Sequence, residues 1–222
     1  MGFQESLRLS IALGLTIFLV LLRFDSERIM RSDYFRYRTP WMGPFSYYAL
    51  VVAFTIGIVV ILPEGRATLF LAPGDPDVLP AFMLWFSAVA VVGAAAFAFL
   101  RYRGILPLPV PLLPSRLMGA AASAVADELQ FRSIVLGILI FADLPGGTGT
   151  ALLLQALLYG LAQRRLWKER DWFFLAVAIL LGYAAGLATV NSGSILPAMV
   201  GHFAVSAALF AFAGGRLRQR PI

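Results

Sequence analysis

Gly119-Ala-Ala-Ala-Ser-Ala-Val-Ala-Asp127-Glu128-Leu-Gln-Phe-Arg132-Ser-Ile-Val-Leu-Gly-Ile-Leu-Ile140 decides how this chain is read. Two carboxylates and a guanidinium stand within six residues, preceded by small side chains and followed by branched apolar ones. If the stretch crosses a bilayer, each of these charges costs about 2.5–3.5 kcal/mol at the helix centre. One explanation is an ion pair that neutralises itself and locks two helices. The other is a buried polar site, and an intramembrane ionisable group points there first.

The rest of the chain places that stretch in a membrane. Of the 222 residues, 60% are hydrophobic and 14% charged, and the mean hydropathy is +0.82. A soluble domain carries about 25% charged residues. The net charge of +6 and the pI near 10.2 do not signal nucleic acid, because the basic residues lie between apolar runs rather than on one soluble face. With no cysteine, disulfides, thiol catalysis and cysteine-zinc sites are excluded.

Seven apolar spans are expected, at 9–22, 44–62, 78–100, 117–141, 148–165, 172–190 and 194–213. Most approach the ~20 residues that a bilayer requires. No small-x-small cleavage site follows Leu9–Leu22, and Arg23 opens a charged run, so this stretch is read as a span rather than a signal peptide. The segments 22–43, 101–116, 164–170 and the C-terminal tail hold five, three, four and three basic residues, fifteen of the eighteen. Every second connection is therefore basic. The positive-inside rule puts the N-terminus outside and the C-terminus inside. The fold expected is all-α, a polytopic helical membrane bundle, in an integral protein of the bacterial cytoplasmic (inner) membrane. Cysteines introduced as Ser32→Cys and Gln219→Cys should be shielded from an impermeant thiol reagent in intact cells; strong labelling of both would reverse the orientation.

Gly104-Ile-Leu-Pro-Leu-Pro-Val-Pro-Leu-Leu-Pro114 places four prolines in an apolar run and is expected to be extended, not helical. It divides a three-span part (1–103) from a four-span core with a basic tail (117–222), with 104–116 as the linker. The acidic, turn-rich 63–77 loop suits an outside connection.

Three spans of the core carry one polar pair each. Glu128 and Arg132 stand at i and i+4, the favoured order for an ion pair on a helix. Asp127, rotated by about 100°, faces a different surface, beside the small residues Ser123 and Ala124, where a second helix can approach. Tyr159 and Gln163 form the next i, i+4 pair, with Tyr159 read as part of an aromatic belt and Gln163 as interfacial. His202, the single histidine, shares a face with Ser206. A lone histidine in an apolar helix is ordinarily a helix–helix hydrogen bond. Asn191-Ser192-Gly193 reads as a turn, and Pro197 is tolerated in the first turn of the last span.

In this order and spacing the pairs resemble the CAAX-protease and bacteriocin-processing (CPBP, Abi) group of intramembrane peptidases, over roughly residues 115–213. Its first motif, Glu-Glu-x-x-x-Arg, is matched by Asp127-Glu128-x-x-x-Arg132; its second, Phe-x-x-x-His, by Tyr159-x-x-x-Gln163; its third, His-x-x-x-Asn, by His202-x-x-x-Ser206 after a Gly193-Ser-Ile-Leu-Pro197 segment. The resemblance implies that the first carboxylate and the second-motif histidine activate a water, and that the third-motif pair stabilises the oxyanion. Three departures bear on this. The first carboxylate is an aspartate, one methylene short, and a misplacement of about 1 Å costs about 100-fold. The activating histidine is Gln163, whose amide cannot act as a general base. The asparagine is the shorter Ser206. One histidine and no cysteine fall short of the three ligands of a catalytic zinc site, so neither a metal nor another cofactor is expected.

Two functions follow. The favoured one is a pseudo-peptidase that retains the fold and binds a membrane protein or transmembrane peptide as an accessory or scaffold subunit of a larger complex. The alternative is an active intramembrane CAAX-type peptidase with Asp127 as base and His202 with Ser206 as oxyanion donors.

Overall fold

The computed structural model describes residues 3–24, 42–62, 64–105, 107, 109–163 and 172–214. The basic runs expected at 25–41, 164–171 and 215–222, with the labelling positions Ser32 and Gln219, lie outside the described residues. Those residues are helical throughout, apart from turns and connections: α1 (Phe3–Phe24), α2 (Met42–Ile61), the single turn α3 (Gly65–Thr68), α4 (Leu79–Tyr102), a 3₁₀ turn (Val110–Leu112), α5 (Leu113–Glu128), a π-helical segment (Leu129–Val135), α6 (Leu136–Phe141), α7 (Gly147–Ala162), α8 (Trp172–Ser192) and α9 (Leu196–Ala213). Four are long and apolar enough to cross a membrane: Phe3–Phe24, Leu79–Leu100, Leu175–Ser192 and Leu196–Ala213. The apolar stretches Ser46–Ile61 and Gly147–Ala162 are shorter. Only a helix satisfies all its backbone groups within one segment in lipid, so long apolar runs of this kind have one outcome there.

Several boundaries differ from expectation, each for a local reason. The first helix is longer than 9–22, because its polar ends, including Glu5, Arg8 and Arg23, continue the helical turn. The proline-rich stretch ends in the 3₁₀ turn, and α5 starts at Leu113 rather than 117, because Pro114 falls in the first turn, where its missing N–H costs nothing. The same device recurs in the first turns of α4, with Pro80, and of α9, with Pro197. The expected 191–193 turn shrinks to its glycine: Asn191 and Ser192 stay helical, and Gly193 takes φ 67°.

The run 117–141 was expected to be one α-helix. It contains instead a seven-residue π segment directly after Glu128. A π turn widens the helix and interrupts the i→i−4 ladder, and such turns occur often at functional sites. The buried hydroxyls of Thr16, Thr55, Thr189 and Ser192 donate back to the carbonyl four residues earlier in their own helices, at 2.7–2.9 Å. In the π segment the polar side chains reach across to other elements. Ser133 Oγ donates to the carbonyl of Leu69 at 2.7 Å, and Gln130 Nε2 to the carbonyl of Leu19 at 2.7 Å.

One buried cluster draws on both sides of the proline-rich stretch. It joins Ala12, Leu19, Tyr47, Val51, Ile58, Leu62 and Leu69 to Ala126, Ile134 and Ile138. Elsewhere α7 packs along α8, and α4 lies along α9, which also meets α5. The α4–α9 contact is close because Gly201 leaves room for Phe86; a Cβ at Gly201 would overlap the Phe86 ring. Gly201→Ala should therefore destabilise by about 1–3 kcal/mol through overpacking. At Gly93 nothing lies within 4 Å of an added Cβ, so Gly93→Ala should not destabilise. Equal melting of the two variants in detergent would contradict the close contact.

Candidate functional site

The site is built where α5 runs into the π segment. Consecutive carboxylates there face different ways, as a 100° rotation per residue requires. Glu128 turns inward. Its Oε2 lies 3.0 Å from Arg132 Nε, and its Oε1 lies 2.7 Å from His202 Nδ1 on α9. An ionised carboxylate only accepts, so the proton in the second contact belongs to Nδ1. Asp127 turns toward α1. Its Oδ1 lies 3.1 Å from Arg23 Nε, and its Oδ2 accepts from Arg23 Nη2 at 3.3 Å. The pair is thus one hydrogen bond with a close ion-pair contact beside it, and hydrogen bonds between ionised groups are among the stronger polar contacts. The two ion pairs differ in access: the side chains of Arg132 and Glu128 are 2% and 1% exposed, those of Arg23 and Asp127 16% and 7%.

Aromatic side chains close the cluster. The Arg132 guanidinium carbon stands 4.1 Å from the centroid of the Tyr159 ring, a cation–π contact. Tyr159 also meets Phe131 edge-on at 5.3 Å and faces the His202 ring at 6.5 Å. It is thus a buried wall of the site and not part of an aromatic belt, because its ring packs against Arg132, Phe131 and His202. On the α2 side the Tyr47 hydroxyl donates to Gln130 Oε1 at 3.2 Å, and Gln130 in turn holds the Leu19 carbonyl.

The structure therefore brings Asp127, Glu128, Arg132, Tyr159 and His202 together. Gln163 is the residue that ends α7; its backbone N–H is bonded to the Gly160 carbonyl, and its side chain makes no hydrogen bond to the cluster. Ser206 follows His202 by one turn on α9, half-buried and without a hydrogen bond to the cluster. Sequence reading missed Arg23, which was assigned to a basic loop but forms the partner of Asp127. It also missed Gln130 and Tyr47; an amide inside the run Leu129–Leu139 was the available signal for the first. Among the described residues no group of three His, Asp or Glu side chains is arranged to hold a metal. The donors do not suit one: there is a single imidazole, and both carboxylates are already bound by guanidinium groups.

Comparison with known proteins bears on this region. The family model described as type II CAAX prenyl endopeptidase Rce1-like matches residues 109–208. Over these residues the chain is similar to that family. The matched region carries all five members of the cluster, Asp127, Glu128, Arg132, Tyr159 and His202, and it includes the π segment and α6 to α8. A UPF0756 membrane protein of Dickeya chrysanthemi is 28% identical over 134 residues, which cover 60% of this chain and 82% of that protein. No solved structure matches. With its apolar helices, the chain is an integral membrane protein.

Proposed function

We propose that this protein is an Rce1-like membrane protein that has lost the hydrolytic step and serves as a helix-binding accessory or scaffold subunit of a membrane complex, in the bacterial inner membrane. One observation carries the proposal. Each of the four oxygens of the two site carboxylates lies within 3.3 Å of a nitrogen of a basic side chain, Asp127 against Arg23 and Glu128 against Arg132 and His202. A general base must reach the proton of an attacking water within about 2.6–3.2 Å, directly or through one water. Here the nearest carboxylates are tied up, and the second-motif position offers the amide of Gln163. What is left is a polar, rigid platform inside the bilayer, suited to holding another helix.

A second reading, the active peptidase, draws on His202. Its Nδ1 is fixed by Glu128, and its side chain, at 19% exposed, is more open than those of Asp127, Glu128 and Arg132. A carboxylate-oriented imidazole of this kind is how many hydrolases prepare a base.

One experiment separates the two. The wild-type protein and a His202→Ala protein are reconstituted in nanodiscs with prenylated CAAX-type peptides and with unprenylated transmembrane peptides, and products are read by mass spectrometry. The accessory-subunit reading expects equal background cleavage from both proteins, and a stoichiometric membrane partner on purification of the wild type in mild detergent. Cleavage by the wild type that disappears in His202→Ala would establish the peptidase.

A further inference from the structure

The contact between α1 and the site has the form of a ligand contact. Of the 22 residues of α1 only Ala12, Thr16 and Leu19 are buried, while Leu7, Ile11, Ile17, Phe18 and Leu21 remain exposed. The polar ties that fasten α1 to the site fall in its last turn and a half: the Leu19 carbonyl takes the Gln130 amide, and Arg23 takes Asp127. These two groups are four residues apart, so they lie on one face of the helix, one turn apart. Asp127, which accepts from α1, and Gln130, which donates to it, sit at the junction of α5 with the π segment, and Tyr47 holds Gln130 in place.

We propose that α1 occupies a docking position for a transmembrane helix of a partner protein, and that the partner displaces it. The partner would present an Arg or Lys to Asp127 and, four residues earlier, an accessible main-chain carbonyl to Gln130. The proposal rests on the accessory-subunit reading and names its partner class. Exchange of the two helices is feasible because apolar burial does not drive helix association in lipid; packing and polar contacts do. A helix with the same two polar groups, and with side chains of matching size where α1 buries Ala12, Thr16 and Leu19, replaces those contacts, and the displaced α1 keeps its apolar surface in lipid. The Arg132–Glu128 pair, sealed and within one chain segment, stays in place and supplies the rigid wall. The difference in exposure between the two ion pairs fits this division: the exchangeable one is the one at the rim.

The test uses the full-length Arg23→Gln protein, in which the native tie is loosened, and a fluorescent peptide of residues 3–24 as the probe helix. Binding is measured in nanodiscs, against the same peptide with Arg23→Gln. At least tenfold preference for the arginine peptide is expected, abolished when the protein also carries Asp127→Asn, and binding to the wild-type protein should be at least tenfold weaker because its own α1 competes. Equal affinity for the two peptides, or no binding by a monodisperse Arg23→Gln protein, overturns the proposal. If Arg23→Gln does not stay monodisperse, the charge-exchanged protein Arg23→Asp with Asp127→Arg takes its place. It should prefer a peptide carrying Arg23→Asp, and a failure to do so overturns the proposal. A wild-type dimer that dissociates on Arg23→Gln would assign the position to a second copy of this chain and overturn the partner assignment. Mass spectrometry of the bound peptide keeps the two readings apart. Cleavage would end the loss-of-hydrolysis reading and leave helix recognition standing, whereas unselective binding without cleavage would end only the helix-docking proposal.

Discussion

A protein carrying Asp127→Glu and Gln163→His is expected to remain as inactive as the wild type, and the further change Arg23→Gln is expected to switch cleavage on. The two site substitutions restore the residue types that the Rce1-like motifs call for, a longer carboxylate and an imidazole. They leave the guanidinium of Arg23 on the carboxylate at position 127, where it now binds through both oxygens. Removing that guanidinium frees an oxygen for water. Properly placed acid–base assistance is worth about 100- to 10,000-fold, so the triple variant should exceed the double by at least the lower figure in a mass-spectrometric peptide assay, and the gain should vanish on adding His202→Ala. Equal activity of the double and triple variants would show that Arg23 does not obstruct the site.

Arg132→Ala is expected to be the most damaging single change to stability. The side chain is among the largest fully buried ones, it neutralises Glu128, and it packs on Tyr159. Removing one partner of a buried ion pair costs about 3–5 kcal/mol, because the other charge is stranded. Replacing both partners with neutral amides, Glu128→Gln with Arg132→Gln, strands no charge and should cost less. The single variant should therefore melt below the double in detergent. A single variant as stable as the double would mean that Glu128 is neutralised by His202 alone.

The helices were legible because apolar runs of membrane length are long and bounded by charge. The Glu128–Arg132 pair was legible for a different reason: an i, i+4 spacing is a local geometric fact, and it holds even where the second residue enters the π segment. Arg23 was not legible. It is separated from Asp127 by 104 positions, and at the end of an apolar run an arginine looks like a topological stop. The π segment left no trace in the sequence either, since apolar residues on every side erase the periodicity that would report a change of helical pitch. Tyr159 was misplaced by the same effect: near a helix end an aromatic residue looks interfacial, and only the packing of α7 against Arg132 turns it inward. His202 was read as a helix–helix hydrogen bond, and it makes one, to Glu128.

The wide turn at Leu129–Val135 has a consequence for how this sequence can change over time. A π turn accommodates a surplus residue in an otherwise regular helix. Losing a single codon from an ordinary helix swings everything beyond it by about 100° around the axis. Losing one between 129 and 135 would instead let the wide turn tighten, and Ile138 could keep its place in the cluster shared with α1 and α2. What the tightened helix would give up is the outward reach of Gln130 and Ser133 to Leu19 and Leu69. A gap at this point would thus spare the bundle and undo these two polar ties, and a related chain that carries one should retain the apolar faces of its first two helices while losing the polar side chains that stand here at 130 and 133.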